Sequence, residues 1–303
     1  MSTCEKAGAE ATSVVSSDRV SSLPPEIKGD ILSRLLVEEA VRTSILSSTW
    51  RNAWTDMPRV FLQDGKLAQT KFVTLVDMVL ALHKGTIEEF NISVRFEGIR
   101  CLNIQAPKLE YLEVVGGFED INLDAPNLEW AVLTLNPKAK AYQSVPIAHD
   151  TKNYVKKSLG SHLSKGCIPM KLPAVFTRLE HIYLTICFWD QRQVLAACSL
   201  FQNAPNLKRL NMRSRFPGPW YQDQASIQEL TVQLQMDHLV TASMEGFAGL
   251  DYEVDFVAKL LSWAPALEEL EIEWEGETDC SRVLAKLLAL PRVSPRAKVI
   301  VTF

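Results

Sequence analysis

Three carboxylates, Glu271, Glu273 and Glu275, alternate with Ile272 and Trp274. Acid–base catalysis needs two carboxyl groups in environments that set them apart. Strict alternation instead places all three on the wet face of one strand. The six cysteines, Cys4, Cys101, Cys167, Cys187, Cys198 and Cys280, are scattered, with no C-x-x-C pair, and several adjoin apolar runs. They read as reduced, mostly buried thiols of an intracellular protein. Among the histidines only His162 has a cysteine, Cys167, within five residues, and no second pair completes a four-ligand array. The sequence therefore predicts no metal site and no cofactor. G-x-S-x-G, H-E-x-x-H, P-loop and G-x-G-x-x-G motifs are absent. What remains is chemistry of contact. Trp50 and Trp54 lie four apart, and Arg213-Ser-Arg215-Phe216-Pro-Gly-Pro-Trp220-Tyr221 combines arginines and aromatics with turn residues. Such side chains dominate interface hot spots.

These residues sit in a chain of 303, long enough for one large or two small domains with a sizeable core. At 47% hydrophobic and 22% charged, the composition is that of a soluble globular protein. A net charge of −4 argues against a nucleic-acid binder that works through a global positive field. No apolar run approaches the roughly 18 residues of a membrane span, and the N-terminus lacks an apolar signal region. Residues 1–17, rich in Ser, Ala, Glu and Thr, are expected to be disordered. From Asp18 to about Val60 the pattern is helical. Leu23-Pro24-Pro25-Glu26 opens a first helix whose apolar stripe is Ile27, Ile31, Leu32 and Leu35, with Gly29 weakening it by roughly 1 kcal/mol relative to Ala. A second helix is predicted from Glu38-Glu39, carrying Ala40, Val41, Ile45 and Leu46. A third begins at Ser47 or Ser48, carries Trp50 and Trp54, and ends at Pro58. Three such helices cannot bury this apolar surface alone, so the tryptophans pack on the following domain or meet another protein.

The run Asp18-Arg-Val-Ser-Ser-Leu-Pro-Pro-Glu-Ile, then Ile31-Leu-Ser-Arg-Leu, Ala40-Val-Arg-Thr-Ser-Ile-Leu-Ser and Trp50-Arg-Asn-Ala-Trp54, resembles a plant F-box over residues 18–60. The resemblance implies docking to the Skp-type adaptor, and through it the cullin, of an SCF ubiquitin ligase. Carried over by motif position, Leu23, Pro24, Ile31, Leu32, Leu35, Val41, Leu46 and Trp50 would form the adaptor-binding surface, and Trp54 would brace the module against the next domain. Leu36 departs from the pattern, where many relatives have proline. Ser48-Thr49 also departs, where a basic pair often precedes the tryptophan.

From about Thr86 short β-like runs replace the helices. Ala106-Pro-Lys-Leu109, Ala125-Pro-Asn-Leu128, Ala204-Pro-Asn-Leu207 and Ala264-Pro-Ala-Leu267 each open a segment close to L-x-x-L-x-L. Weaker copies begin at Ile87, Leu179 and Ile227. Proline sets a turn, the first leucine enters the core, and the alternating pair forms a strand. The run Arg192–Gln202 reads as an outer helix through Val194, Leu195, Cys198 and Phe201. The expected fold is therefore α/β: a three-helix F-box over 18–60, then, over 61–303, an irregular leucine-rich-repeat solenoid with parallel strands and outer helices or loops. The C-terminal half is similar to FBD-type plant F-box proteins at Leu172-Pro-Ala-Val-Phe-Thr-Arg-Leu, Ser199-Leu-Phe-Gln-Asn-Ala-Pro-Asn-Leu and Leu290-Pro-Arg-Val-Ser-Pro-Arg-Ala-Lys-Val-Ile-Val. That similarity implies a terminal helix over Ser281–Leu290 and a last strand over Lys298–Phe303.

Two charge asymmetries remain. Residues 136–175 hold seven lysines against one acid, Asp150, and residues 245–279 hold eleven acids against one lysine. Each reads as a solvated surface, or the lysine-rich part as a contact for an acidic partner or a source of ubiquitin-acceptor lysines. The substrate contact is placed at Arg213, Arg215, Phe216, Trp220 and Tyr221. The expected function is a non-catalytic, cytosolic or nuclear substrate receptor that holds a target protein near the ubiquitin-charged enzyme, with neither nucleic acid nor membrane as partner. Two other readings are a receptor that senses a small ligand and a scaffold without a ligase role.

Overall fold

The computed structural model describes residues 19–65, 68–135, 170–171, 175–215, 233–276 and 280–303. It is a mixed α/β structure. Helices α1 (Pro25–Leu32) and α2 (Val37–Arg42) open it, followed by two short 3-10 turns, Thr43–Ile45 and Ala53–Asp56. Strand β1 (Arg59–Gln63), helix α3 (Gln69–Leu82), and strands β2 (Glu89–Gln105), β3 (Tyr111–Asp124), β4 (Trp130–Leu135) and β5 (Met170–Lys171) come next. The remainder is β6 (His181–Ile186), α4 (Gln191–Gln202), β7 (Arg209–Ser214), β8 (Thr241–Phe247), α5 (Asp251–Trp263), β9 (Glu269–Trp274), α6 (Cys280–Ala289) and β10 (Lys298–Thr302).

The strands form one sheet in chain order, β1-β2-β3-β4-β6-β7-β8-β9-β10, with β5 attached to β3, and every pairing is parallel. The Ala-Pro-x-Leu segments explain its regularity. In each, the leucine N–H donates to the alanine carbonyl three residues back, at 3.0–3.3 Å for Leu109, Leu128, Leu207 and Leu267. Proline has the backbone angle this turn needs at its second position, and the alanine is buried in each of the four. A second set of backbone bonds then links neighbouring turns: Glu129 N–H to Glu110 O, Glu180 to Glu129, Lys208 to Glu180, Val240 to Lys208, Glu268 to Val240 and Lys298 to Glu268. These bonds lock the register of the whole row, so alternate residues of every strand share a face.

One face is the core. Phe90 and Ile92, Leu112 and Val114, Ile182 and Leu184, Leu210 and Met212, and Leu270 and Ile272 are buried there, beneath leading residues such as Leu109, Leu179 and Leu267. Helix α4 spans Gln191–Gln202 and buries Val194, Cys198 and Phe201, while Leu195 stays exposed. Helix α6 occupies Cys280–Ala289 and the last strand Lys298–Thr302, within a residue of the expected bounds.

One expectation needs correction, and two strands join those expected. The third helix of the N-terminal module is not α-helical: Trp50 N–H bonds Ser47 O, Ala53 bonds Trp50 O and Thr55 bonds Asn52 O, all i to i+3. Ser47 and Thr49 hydroxyls bond each other and the Thr55 hydroxyl bonds Asn52 O. Short polar side chains that satisfy nearby backbone in this way favour tight turns over an α-helix. Among the described residues the strand between those led by Leu207 and Leu267 is β8, led by Leu239, and the weaker copy expected at Ile227 lies outside the described residues. A further strand, β1, precedes the expected start of the repeats, with Met57, Val60 and Leu62 buried at the same spacing.

Candidate functional site: an apolar helical face and an open sheet face

The N-terminal module buries one side and exposes another. Helix α1 turns Lys28, Gly29 and Leu32 inward and Ile27 and Ile31 outward. Lys28 is the unusual buried member. Its ammonium donates to Ser21 O at 2.8 Å, reaches Thr49 O at 3.5 Å, and stands 5.6 Å from the centre of the Trp50 ring. Carbonyls and an aromatic face thus replace the water it gives up. The exposed apolar side chains of the module are Val20, Ile27, Ile31, Leu36, Ile45 and Leu46, the last two 87% and 72% exposed. Isolated exposed leucines are ordinary, whereas several on one short module are a candidate for contact with a partner.

The expected adaptor residues divide accordingly. Pro24, Ile31 and Leu46 are exposed; Leu23, Leu35 and Val41 are half-buried. Leu32 and Trp50 are buried, so in this chain they hold the module together and offer little surface of their own. Ile27, Leu36 and Ile45, outside the expected set, are exposed as well. Ile27 sits four residues before Ile31 on the same helical face, and that spacing was the available signal. Trp54 is buried in the core that the module shares with the sheet. Hydrogen bonds cross this junction: Arg59 N–H donates to Ser33 Oγ at 3.3 Å, Lys84 and Gly85 N–H donate to Thr55 O, and His83 Nε2 donates to Met57 O at 2.8 Å.

Family comparison falls on this same segment: the F-box domain family matches residues 20–62. The chain carries an F-box domain. Its boundary runs to Leu62, so the F-box match includes most of β1. The chain is also homologous to Arabidopsis thaliana F-box/FBD/LRR-repeat proteins. One is 23% identical over 413 aligned positions that take in 94% of this chain and 98% of the relative. Two others are 34% and 37% identical over 102 and 89 residues, and there the chain spans only about a fifth of the relative's length, 22% and 20%. No solved structure matches the chain.

Beyond the F-box, the open face of the sheet presents registered rows. One row runs Arg59, Glu89, Tyr111, Trp130, His181, Arg209, Thr241, Glu269, Lys298. Near its middle the indole of Trp130 stacks on the His181 imidazole, ring centres 3.9 Å apart and 15° from parallel, with Trp130 still 45% exposed. Burial and the Arg209 guanidinium hold His181 below the usual histidine range, so the ring is neutral at pH 7. Burial and the Glu113 carboxylate push Tyr111 up to about 12. Tyr183 donates its hydroxyl proton to Glu245 at 3.1 Å, while Arg213 stands 4.0 Å from the same carboxylate. Of the expected substrate residues, Arg213 therefore belongs to strand β7 on this face, and Arg215 follows it. Phe216, Trp220 and Tyr221 lie outside the described residues, as do positions 136–169 of the lysine-rich run.

Nothing among the described residues gathers three or more His, Cys, Asp or Glu in a metal-holding group, and no described helix is long and apolar enough to cross a membrane. Cys187 and Cys198 are buried free thiols that burial pushes up to about 11 and about 12, leaving them protonated and unreactive at neutral pH.

Proposed function

We propose that this protein is a substrate-recognition subunit of an SCF-type ubiquitin ligase. In this reading residues 18–60 dock a Skp-type adaptor, and through it the cullin. The following strands form an irregular leucine-rich-repeat solenoid over 61–303, FBD-like in its C-terminal part. Its open face captures a target protein in the cytosol or nucleus. The observation that carries the reading is the set of exposed apolar side chains on the F-box, above all Ile45 and Leu46, which the other described residues leave uncovered. The chain contributes no transfer chemistry. Its contribution is proximity, since tethering raises the effective concentration of target lysines at the charged enzyme.

The test is co-expression with a Skp-type adaptor and capture of the pair through a tag on this chain. Intact chain should retain adaptor, and an Ile45→Asp/Leu46→Asp double variant, still folded by circular dichroism, should lose it. Failure of the folded intact chain to retain adaptor would refute the ligase reading and leave a repeat scaffold.

A further inference from the structure

The open sheet face is not chemically uniform. Its aromatic part, on β4 and β6, is Trp130 stacked on His181, with Tyr183 beside it. On β7 stand two cations, Arg209 and Arg213. Beyond them β8 and β9 present Glu245, Glu271 and Glu273. Glu245 is already engaged by Tyr183 and Arg213. Glu271 and Glu273 are exposed, and among the described residues no ion pair holds either. Their registered neighbours on β10 are Ile300 and Thr302, which carry no compensating charge.

We infer that this face takes a basic segment of the target protein, in extended form, with one apolar or aromatic anchor and a basic group beyond it. The inference rests on the receptor reading above and specifies the class of target. Trp130 and Tyr183 supply the apolar contact. Glu271 and Glu273 supply the charge complement, and a partner's lysines or arginines there replace water around two adjacent like charges. The position of the arginines fixes the order. A basic group placed directly over β7 is repelled by Arg209 and Arg213, so it must reach β8 and β9. From β4 to β9 the sheet steps through β6, β7 and β8. Four strand spacings span about 20 Å, or roughly six residues of extended peptide. The segment between anchor and basic group passes over Asn211 and Ser243, whose side chains bond each other at 3.1 Å and accept a neutral polar stretch.

The test uses full-length chain and fluorescein-labelled synthetic peptides: one phenylalanine, six Gly/Ser residues, then Lys-Arg-Lys. Fluorescence anisotropy should detect binding that weakens steeply with salt. Shortening the spacer to two residues, or replacing Lys-Arg-Lys by Glu-Asp-Glu, should cost tenfold or more. Glu271→Lys/Glu273→Lys should lose tenfold or more, Glu271→Gln/Glu273→Gln several-fold, and Trp130→Ala tenfold or more. Indifference to spacing, to peptide charge or to Glu271 and Glu273 would overturn the inference, as would failure of every peptide to bind. Adaptor capture, measured on the same variants, reports separately. If capture persists while peptides fail, only this inference falls. If peptides bind as described while the intact chain captures no adaptor, the ligase role falls and the face remains.

Discussion

A methyl group on Gly29 would stand 2.8 Å from the carbonyl oxygen of Asp56. From the other side, one on Gly85 would stand 2.9 Å from the Asp56 Cα. The backbone at Asp56 is thus held between helix α1 of the F-box and the segment that leads into β2. Sequence propensity reads Gly29 as a defect in α1, and Gly29→Ala should gain roughly 1 kcal/mol of helix propensity. The contact is to backbone, which cannot turn aside, and overpacking of this kind costs about 1–3 kcal/mol. Gly29→Ala should therefore lower the thermal midpoint, and Gly85→Ala should do the same. A gain in midpoint for Gly29→Ala, measured by circular dichroism, would show that the junction yields more easily than this packing allows.

Glu253 is buried where α5 begins. It accepts a hydrogen bond from Ser214 Oγ at 2.5 Å and from the N–H groups of Ala248 and Leu250 at 3.0 Å each. Burial raises its pKa above the usual carboxylate range, and the hydrogen bonds from Ser214 and from the backbone of Leu250, Ala248 and Gly249 oppose that rise only in part. A raised folded-state pKa gives stability that is complete below the unfolded value and is lost as pH rises through the folded value. Glu253→Gln removes this titration while keeping an acceptor for the capping N–H groups. The stability of intact chain relative to Glu253→Gln should fall as pH rises out of the ordinary carboxylate range. Urea midpoints for both proteins across a pH series would check it, and parallel curves would refute it.

The repeat strands differ in how openly the sequence declares them. Leu109, Leu128, Leu207 and Leu267 follow an Ala-Pro turn whose chemistry is entirely local. Leu239 makes the same turn, its N–H bonded to Met236 O at 3.2 Å, but from Met236-Asp237-His238 in place of Ala-Pro, and its strand offers Ala242 and Met244 in place of leucines, so the sequence does not declare it. β1 was hidden because Met57, Val60 and Leu62 adjoin the F-box motif. The exposed F-box side chains were partly legible, Ile31 and Leu46 through motif position, while the burial of Leu32 and Trp50 depends on Lys28 and the sheet junction, which no local pattern encodes. The open-face rows required the register. If Leu239 leads a core strand, Leu239→Ala should cost about 2–5 kcal/mol, as Leu267→Ala should. Were it a loop residue, the cost would be within about 0.5 kcal/mol. Denaturant titration separates the two.

Trp50 and Leu46 both belong to the expected docking surface, but the structure gives them different work. Leu46 is 72% exposed and Trp50 only 7%. Leu46→Asp should change stability by about 0.5 kcal/mol or less while placing a charge where an apolar partner face must close, so adaptor capture should be lost at every temperature. Trp50→Ala should cost about 3–5 kcal/mol, because the indole fills the core and covers the Lys28 ammonium. Its loss of capture should therefore follow unfolding of the module. Capture by Trp50→Ala should recover at temperatures below its own melting transition, whereas capture by Leu46→Asp should not. Capture by Trp50→Ala that stays absent while the module is fully folded would instead make the indole a direct contact, reached by a rearrangement of the F-box on binding.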